Sequence, residues 1–543
     1  MRVLCADNND LVIRRPLIIV AAFASVLFLV GLGRRDLWGA DEPRVAGITA
    51  HMARSGDPVV PRLNGRPFLE QPPFYYWIAA PIFTLLGEST YSTRLPSALA
   101  ATTGVLLTFM LARKMGFSVL AACLSALVLG TFAEYWNLSH QCLVDMMLCL
   151  CITAAMLCFF QAVGPSPRRN LWALGFVISL ACALLTKGTV GLAIPVSALV
   201  VWLLVKRDFS LHAWLVLVLG SLLSTIPAAV WVHFLFEHLG TETAYPAIVA
   251  NNLGRFTGSY PQHAEPFYFY LVKAPPQFFP WILFLPVAVV FHARQLRQRR
   301  SQSPSLFTLL WFAVPFLLLC ISSGKRGIYL LPLYPAAALF IGQALGALIE
   351  GKDPPTAWFT VPAAVLTGAV CITPLVFVGM FIHSRQPWTL WSLTGVAAVC
   401  LAVLAWRRLT QNQMGRFTRV LLLALLAVYL AVNTAVYPLF NQKESFKPLF
   451  DYCRTLRAEG IRIGLVYPKE RISGVAVLYL GETVPELLQT EDIAAFLNSH
   501  EESAVVAVEQ SIRSLPNIDL LQKFTIGNNT MVVAANAQEW KVD

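Results

Sequence analysis

Charge is scarce in this chain. Only 13% of its 543 residues are Asp, Glu, Lys or Arg, against 57% hydrophobic ones, and its mean hydropathy is positive. Such a balance excludes an ordinary soluble globular protein and points to a polytopic membrane protein. Acidic residues are the scarcer sign, 30 against 41 basic ones, for a formal charge of +11. The basic residues do not form one patch but sit in short clusters between apolar runs, the pattern of positive-inside topology, so nucleic acid is not expected as a partner. Disulfide and zinc frameworks are missing as well. Of the 11 cysteines, ten lie in the N-terminal tail or in and beside apolar runs, and only Cys453 falls in the polar C-terminal part. No internal repeat or low-complexity tract is present.

What is abundant is long apolar sequence. The first run, Pro16 to Gly33, follows Arg14 and Arg15 and lacks a small-residue cleavage site, so it reads as a retained helix rather than a removed signal peptide. Further runs long enough to span follow at about 95–113, 118–136, 143–163, 171–186, 188–205, 211–236, 275–293, 305–322, 328–349, 357–383, 388–406 and 417–440, which makes about 13 transmembrane helices. Pro72 to Gly87 is apolar too, but it opens on Pro-Pro and is short for a span. Parity decides its role. If it does not cross, the clusters Arg113-Lys114, Arg168-Arg169, Lys206-Arg207, Arg294 to Arg300 and Arg407-Arg408 share one side with Arg14-Arg15; if it does, all of them fall on the wrong side. It is therefore expected to lie at the membrane surface. The loops 34–94, 137–143, 237–274, 322–327 and 384–388, with the turn at Lys187, then share the opposite side.

After Leu439 the texture becomes that of a small α/β domain. Strands are expected over Ile461–Tyr467, Val475–Leu480, Ser503–Val508 and Met531–Ala535, with helices near Phe446–Glu459 and Thr490–Ser499. It holds no Gly-rich phosphate loop or nucleophile elbow, so a supporting role is expected of it. The chain thus divides into a transmembrane domain, 1–440, carrying the polar loop 34–94, and a C-terminal domain, 441–543.

The polar loop is where chemistry is expected. It opens GADEPR, placing Asp41, Glu42 and Arg44 at the mouth of a membrane helix, where ionisable groups are costly unless they act. Asp41 and Glu42 ahead of Pro43 look like a helix start, and Val45, Ile48 and Met52 recur on one face, so a capped interfacial helix with no catalytic part is the competing reading. A second carboxylate, Asp145 in LVDMML, sits in an apolar run on the same side and calls for a cationic or catalytic partner. Cations are available there against the topological bias: Lys187, Arg255 and the pair Lys325-Arg326, which suggests an anionic ligand such as phosphate. Lys187 also reads as a snorkelling turn residue. Aromatics crowd these loops, among them Tyr76 and Tyr329, and an interfacial belt accounts for most of them.

The stretch DEPRVAGITAHMARSGDPVVPRLNGRPFLEQPP, Arg94-Leu95-Pro96, Asp145, NNLGRF followed by HAEPFYFY, and KRGIYLLPLYP resemble the lipid A aminoarabinose transferases. These are membrane glycosyltransferases of the GT-C class, related to protein O-mannosyltransferases. The resemblance runs along essentially the whole chain. It implies a bacterial inner-membrane enzyme, multi-pass, with active site and C-terminal domain periplasmic. Its partners would be membrane lipids, a polyprenyl-phosphate sugar donor, and lipid A or a related envelope glycoconjugate as acceptor. The sugar implied is 4-amino-4-deoxy-L-arabinose. Carried over, Asp41 matches the catalytic aspartate and Asp145 the second acidic position, with Lys187 and Arg255 holding the donor phosphate. Glu42, Arg44, Arg66, Glu70, Tyr76, Lys325 and Tyr329 are further candidate substrate contacts. No cofactor is required on this reading. A divalent ion held by Glu70 and His263 is the weak alternative to simple hydrogen bonding.

One departure bears on specificity. Where the aminoarabinose transferases carry Glu-Lys-Pro-Pro, this chain has Glu70-Gln71-Pro72-Pro73, so a charge that could contact the donor phosphate is gone. Transfer of a different lipid-linked sugar to a protein or another glycan therefore stays open. A transporter of lipid-linked sugars stays open too, although it should show two related halves with interrupted helices, and no such symmetry is found.

Overall fold

A computed structural model describes residues 4–39, 41–249, 264–297, 304–351, 357–384, 389–411, 413–498, 502–512 and 518–536. The chain packs as two compact units. One comprises Met1–Val30, Leu69–Tyr75 and Ser97–Val432; the other comprises Gly31–Phe68, Tyr76–Pro96 and Asn433–Asp543. Most of the polar loop therefore belongs to the same unit as the C-terminal domain.

The first unit is helical, as it must be where no water is present to satisfy backbone N–H and C=O groups. Among the described residues, seven helices of the chain are long and apolar enough to cross a membrane: Thr90–Lys114, Val144–Val163, Arg169–Lys187, Leu211–Leu239, Pro304–Ile321, Gly327–Ile349 and Met414–Glu444. The number reaches nine if each of two bent pairs is one span. Three apolar helices are shorter, Phe74–Leu86, Val190–Lys206 and Phe359–Ile372. Helical structure occupies every apolar run named above, yet length and composition bear out seven to nine spans among the described residues and do not reach about 13. The chain is a multi-pass helical membrane protein.

Two details show how this unit is specified. The helices Val119–Gly130 and Ala133–Ser139 meet at 63°, and polar groups at and beside the break at Thr131-Phe132 are met by side chains and backbone of other segments. Tyr429 donates to the Thr131 carbonyl at 2.9 Å, Trp281 donates to the Thr131 hydroxyl at 2.8 Å, and Ala133 N–H donates to the Phe279 carbonyl at 2.7 Å. Close packing of small residues supplies the other device. A Cβ on Gly342 would lie 2.4 Å from Ser125 Oγ, and one on Gly346 would lie 2.5 Å from Ala121 Cβ. This Gly-xxx-Gly step lets the Tyr334–Ile349 helix press against Val119–Gly130, which suits a bilayer where dispersion rather than hydrophobicity joins helices.

The second unit contains a five-stranded mixed sheet in the spatial order Glu486–Leu487, Arg462–Val466, Ser503–Val508, Asn529–Asn536, Ile518–Ile526. The first three strands run parallel and the last three are antiparallel in sequence of pairing. Val466, Leu487, Ile493, Phe496, Val505 and Val532 form its core. Helix Lys447–Ala458 buries Leu449, Phe450, Cys453 and Leu456 on one stripe, and burial pushes the Cys453 thiol up to about 12, so it packs rather than reacts.

One sequence expectation is overturned. Val475–Leu480 is no strand but the second half of the Glu470–Leu480 helix. A continuous apolar run does not distinguish a buried strand from a buried helix. Here Glu470 sits in the first turn and Gly481, at φ 83°, returns its N–H to the Val477 carbonyl and closes the helix. The edge strand Ile518–Ile526 was not anticipated. Its residues are mostly exposed and lack the apolar alternation that marks a strand.

Candidate active site

The second unit gathers the opening of the polar loop into a charged cluster. Asp41 occupies the cap position of helix Glu42–Ser55, with Pro43 in its first turn and its carbonyl accepting from Val45 N–H at 3.1 Å. The cap reading from sequence holds for the backbone, while the Asp41 side chain makes no capping bond and turns instead to Arg44, whose Nη2 donates to Asp41 Oδ1 at 2.9 Å. The other arm of the same guanidinium, Nη1, donates to Glu470 Oε2 at 2.7 Å, and the guanidinium lies 5.1 Å above the Phe68 ring. Burial works to lower the Arg44 pKa, but the bond to Glu470 and the charges of Asp41 and Glu470 outweigh it, and the net shift is upward. Tyr76, fully buried, is among the groups acting on this cation.

Glu42, one residue on, is committed elsewhere. Arg94 grips it in bidentate fashion, Nε to Oε1 at 2.6 Å and Nη2 to Oε2 at 3.1 Å, and Arg35 adds a bond to Oε2 at 3.0 Å. Arg94 is fully buried and spends its remaining donors on the carbonyls of Leu32, Arg35 and Asp36. Burial, with the like charge of Arg94, lowers the Arg35 pKa against the pull of Glu42. Glu42 thus ties together two arginines from opposite ends of the loop. Arg66, half exposed, pairs with Glu486 at 3.3 Å. Neighbouring Asn64, in the left-handed region at φ 50°, bonds the backbone of Val484 in both directions.

The first unit has a cluster of its own. Asp145 lies in the first turn of Val144–Val163, and Lys187 ends Arg169–Lys187. Successive antiparallel helices bring the start of one beside the end of the next. The acid then meets a positive helix end and the base a negative one, each favourable. Lys187 Nζ donates to Asp145 Oδ1 and sits 4.7 Å over the Tyr329 ring. The cationic partner expected for Asp145 is therefore Lys187, and Tyr329 joins them. Lys325, also in this unit, is buried and donates to the carbonyls of Glu265 at 2.8 Å and Ser322, so it braces the chain around 322–326. Glu70 is half-buried in a bend ahead of Pro72. Arg255 and His263 lie outside the described residues.

Sequence reasoning did not find the roles of Arg35, Arg94, Glu470 and Glu486. Arg94 had a signal, an arginine inside an apolar helix with no apparent partner; Glu470 and Glu486, ordinary surface-type glutamates, had none.

The fold is closely matched by the crystal structure of ArnT from Cupriavidus metallidurans bound to undecaprenyl phosphate. That structure superposes with a TM-score of 0.76 over 97% of this chain and 99% of that one, at 21% identity. Its apo form gives 0.77 over the same shares, at 20% identity. The chain has the ArnT fold.

That fold is reached along with likeness in sequence. The family described as dolichyl-phosphate-mannose-protein mannosyltransferase matches residues 14–241, the stretch that holds Asp41, Arg44, Asp145 and Lys187. An undecaprenyl phosphate-α-4-amino-4-deoxy-L-arabinose arabinosyl transferase of Proteus mirabilis is 30% identical over 60% of this chain and 58% of its own length. One of Shewanella sediminis is 31% identical over 62% and 60%. The chain aligns with about three fifths of these curated relatives, while the ArnT superposition extends through the C-terminal domain. It is similar to the aminoarabinose transferases over that length and has the fold of ArnT.

Proposed function

We propose that this protein is a membrane glycosyltransferase that moves 4-amino-4-deoxy-L-arabinose from an undecaprenyl-phosphate donor to lipid A. The observation that carries the reading is that the match to a family of lipid-phosphate sugar transferases falls on the stretch holding both charged clusters, Asp41 with Arg44 and Asp145 with Lys187. The names of the aminoarabinose transferases it resembles supply the donor and sugar. In the reaction the bond between the anomeric carbon and the donor phosphate oxygen breaks, its electron pair staying on phosphate, and a bond forms from that carbon to an acceptor oxygen. Lys187 supplies charge to the departing phosphate, with Asp145 and the Tyr329 ring keeping its ammonium in place. Arg255 is its proposed second cation. Asp41, steadied by Arg44, orients the acceptor or takes its proton; with an already ionised lipid A phosphate it stabilises the electron-poor sugar carbon.

Transfer needs no cofactor on this account. The protein works in the bacterial inner membrane with both the polar loop and the C-terminal domain periplasmic and about 13 crossings, the shorter apolar helices included. Gln71 keeps a second reading in view, another lipid-linked sugar or a protein acceptor, in line with the mannosyltransferase family match. Mass spectrometry of lipid A from the host with and without this gene separates them. Loss of an aminoarabinose from a lipid A phosphate supports the main reading. Unchanged lipid A with altered core sugars or glycoproteins supports the second.

A further inference from the structure

The C-terminal domain was expected to give support without chemistry, but within the second unit its Glu470–Leu480 helix packs directly on the Glu42–Ser55 helix that begins at Asp41. The crossing is as close as two backbones allow. A Cβ on Gly474 would lie 2.2 Å from the Pro43 carbonyl oxygen, and one on Gly47 would lie 2.5 Å from Gly474 Cα. At the open end of this crossing Arg44 reaches both ways, 2.9 Å to Asp41 Oδ1 and 2.7 Å to Glu470 Oε2. The guanidinium is a rigid planar fork, so fixing one arm fixes the direction of the other.

We propose that Glu470 is a positioning residue for transfer: it orients Arg44, and through Arg44 it fixes the Asp41 carboxylate, so that the C-terminal domain sets the geometry of the reacting loop. The glycine crossing fixes where the helix begins, and the glutamate fixes how its first charged side chains point. Glu470 itself touches neither donor nor acceptor. Removing its charge leaves Asp41 as the one carboxylate paired with Arg44, which sits over the Phe68 ring and can then turn and shift the Asp41 carboxylate with it; displacement of a reacting group by about an ångström costs on the order of 100-fold in rate.

This inference rests on the reading that Asp41 acts in glycosyl transfer, and the test separates the two. The full-length protein is reconstituted with undecaprenyl-phosphate 4-amino-4-deoxy-L-arabinose and lipid A, and E470Q, E470D and G474A are compared with the wild type. E470Q is expected to lower kcat by about 10-fold to 100-fold with the donor KM within twofold and an unchanged melting temperature, since it misplaces a reacting group and removes no donor contact. E470D, which keeps the charge, is expected to recover most of the loss. G474A, which drives a methyl group into the Pro43 carbonyl, is expected to lower kcat even where E470Q proves poorly folded. Full kcat in E470Q, or a loss carried by KM alone, would overturn the proposal. If the wild type transfers nothing from this donor, the functional reading fails and hydrogen exchange of the Glu42–Ser55 amides decides the coupling. Faster exchange at its first turn in E470Q upholds it, and unchanged exchange overturns it.

Discussion

The two charged clusters solve different problems. In the second unit three arginines, Arg35, Arg44 and Arg94, are interlaced with Asp41, Glu42 and Glu470, and each guanidinium uses its fork to bind in a fixed direction. In the first unit a lysine and an aspartate meet at two helix ends beside one tyrosine. An arginine lattice specifies shape. A lysine is a compact charge on a flexible stem, and an ammonium so held can shift to follow a ligand. The contrast assigns precision to the loop that carries Asp41 and adaptable charge to the site of Lys187.

The largest effect should come from cutting the lattice at its centre. Glu42→Gln leaves Arg94 and Arg35 buried with their shared counter-charge removed, and it should cost about 3–5 kcal/mol, read as a collapsed melting temperature or loss of the monodisperse species in detergent. Lys187→Met tests the other cluster. It should lower kcat/KM for the donor by about 100-fold, the scale of removing one group that stabilises developing anionic charge, while the protein still purifies as a folded species. If both variants merely unfold, the division of labour between the clusters is wrong. Gly346→Leu probes how the first unit holds together without such a lattice; wedging a side chain against Ala121 should destabilise by about 1–3 kcal/mol in a thermal shift assay. The smallest effect belongs to Arg66→Ala. Its own side chain is half exposed, and Glu486 keeps Asn64 and Ser473 as donors, so stability should fall by less than about 1 kcal/mol, and transfer should persist unless Arg66 also meets the donor.

The same contrast explains what could be read beforehand. Helices of the first unit follow from apolar runs alone, because length and hydropathy are all a bilayer demands, and an Asp or Lys stranded in such a run announces a partner, as Asp145 and Lys187 did. The number of crossings was less legible, since bent pairs and short helices such as Val190–Lys206 obey no simple length rule. In the second unit the motif around Asp41 was visible, but its support was not. Arg44 and Glu470 lie 426 residues apart, and a glutamate opening an ordinary amphipathic segment carries no mark of what it will face. Misreading Val475–Leu480 as a strand hid the helix that puts Glu470 and Gly474 against the loop. The partners of Glu42 were hidden for a related reason: two adjacent carboxylates look equivalent in sequence, and only burial and the reach of Arg94 distinguish Glu42, gripped by two arginines, from Asp41, which meets Arg44.

Transfer by Asp41→Asn is the most direct trial of the account, measured in proteoliposomes with undecaprenyl-phosphate 4-amino-4-deoxy-L-arabinose and lipid A beside a wild-type control of equal melting temperature. The substitution keeps size and a hydrogen bond to Arg44 while removing the charge. The account predicts a loss of about 100-fold or more in kcat with folding intact. Full transfer by this variant would contradict it.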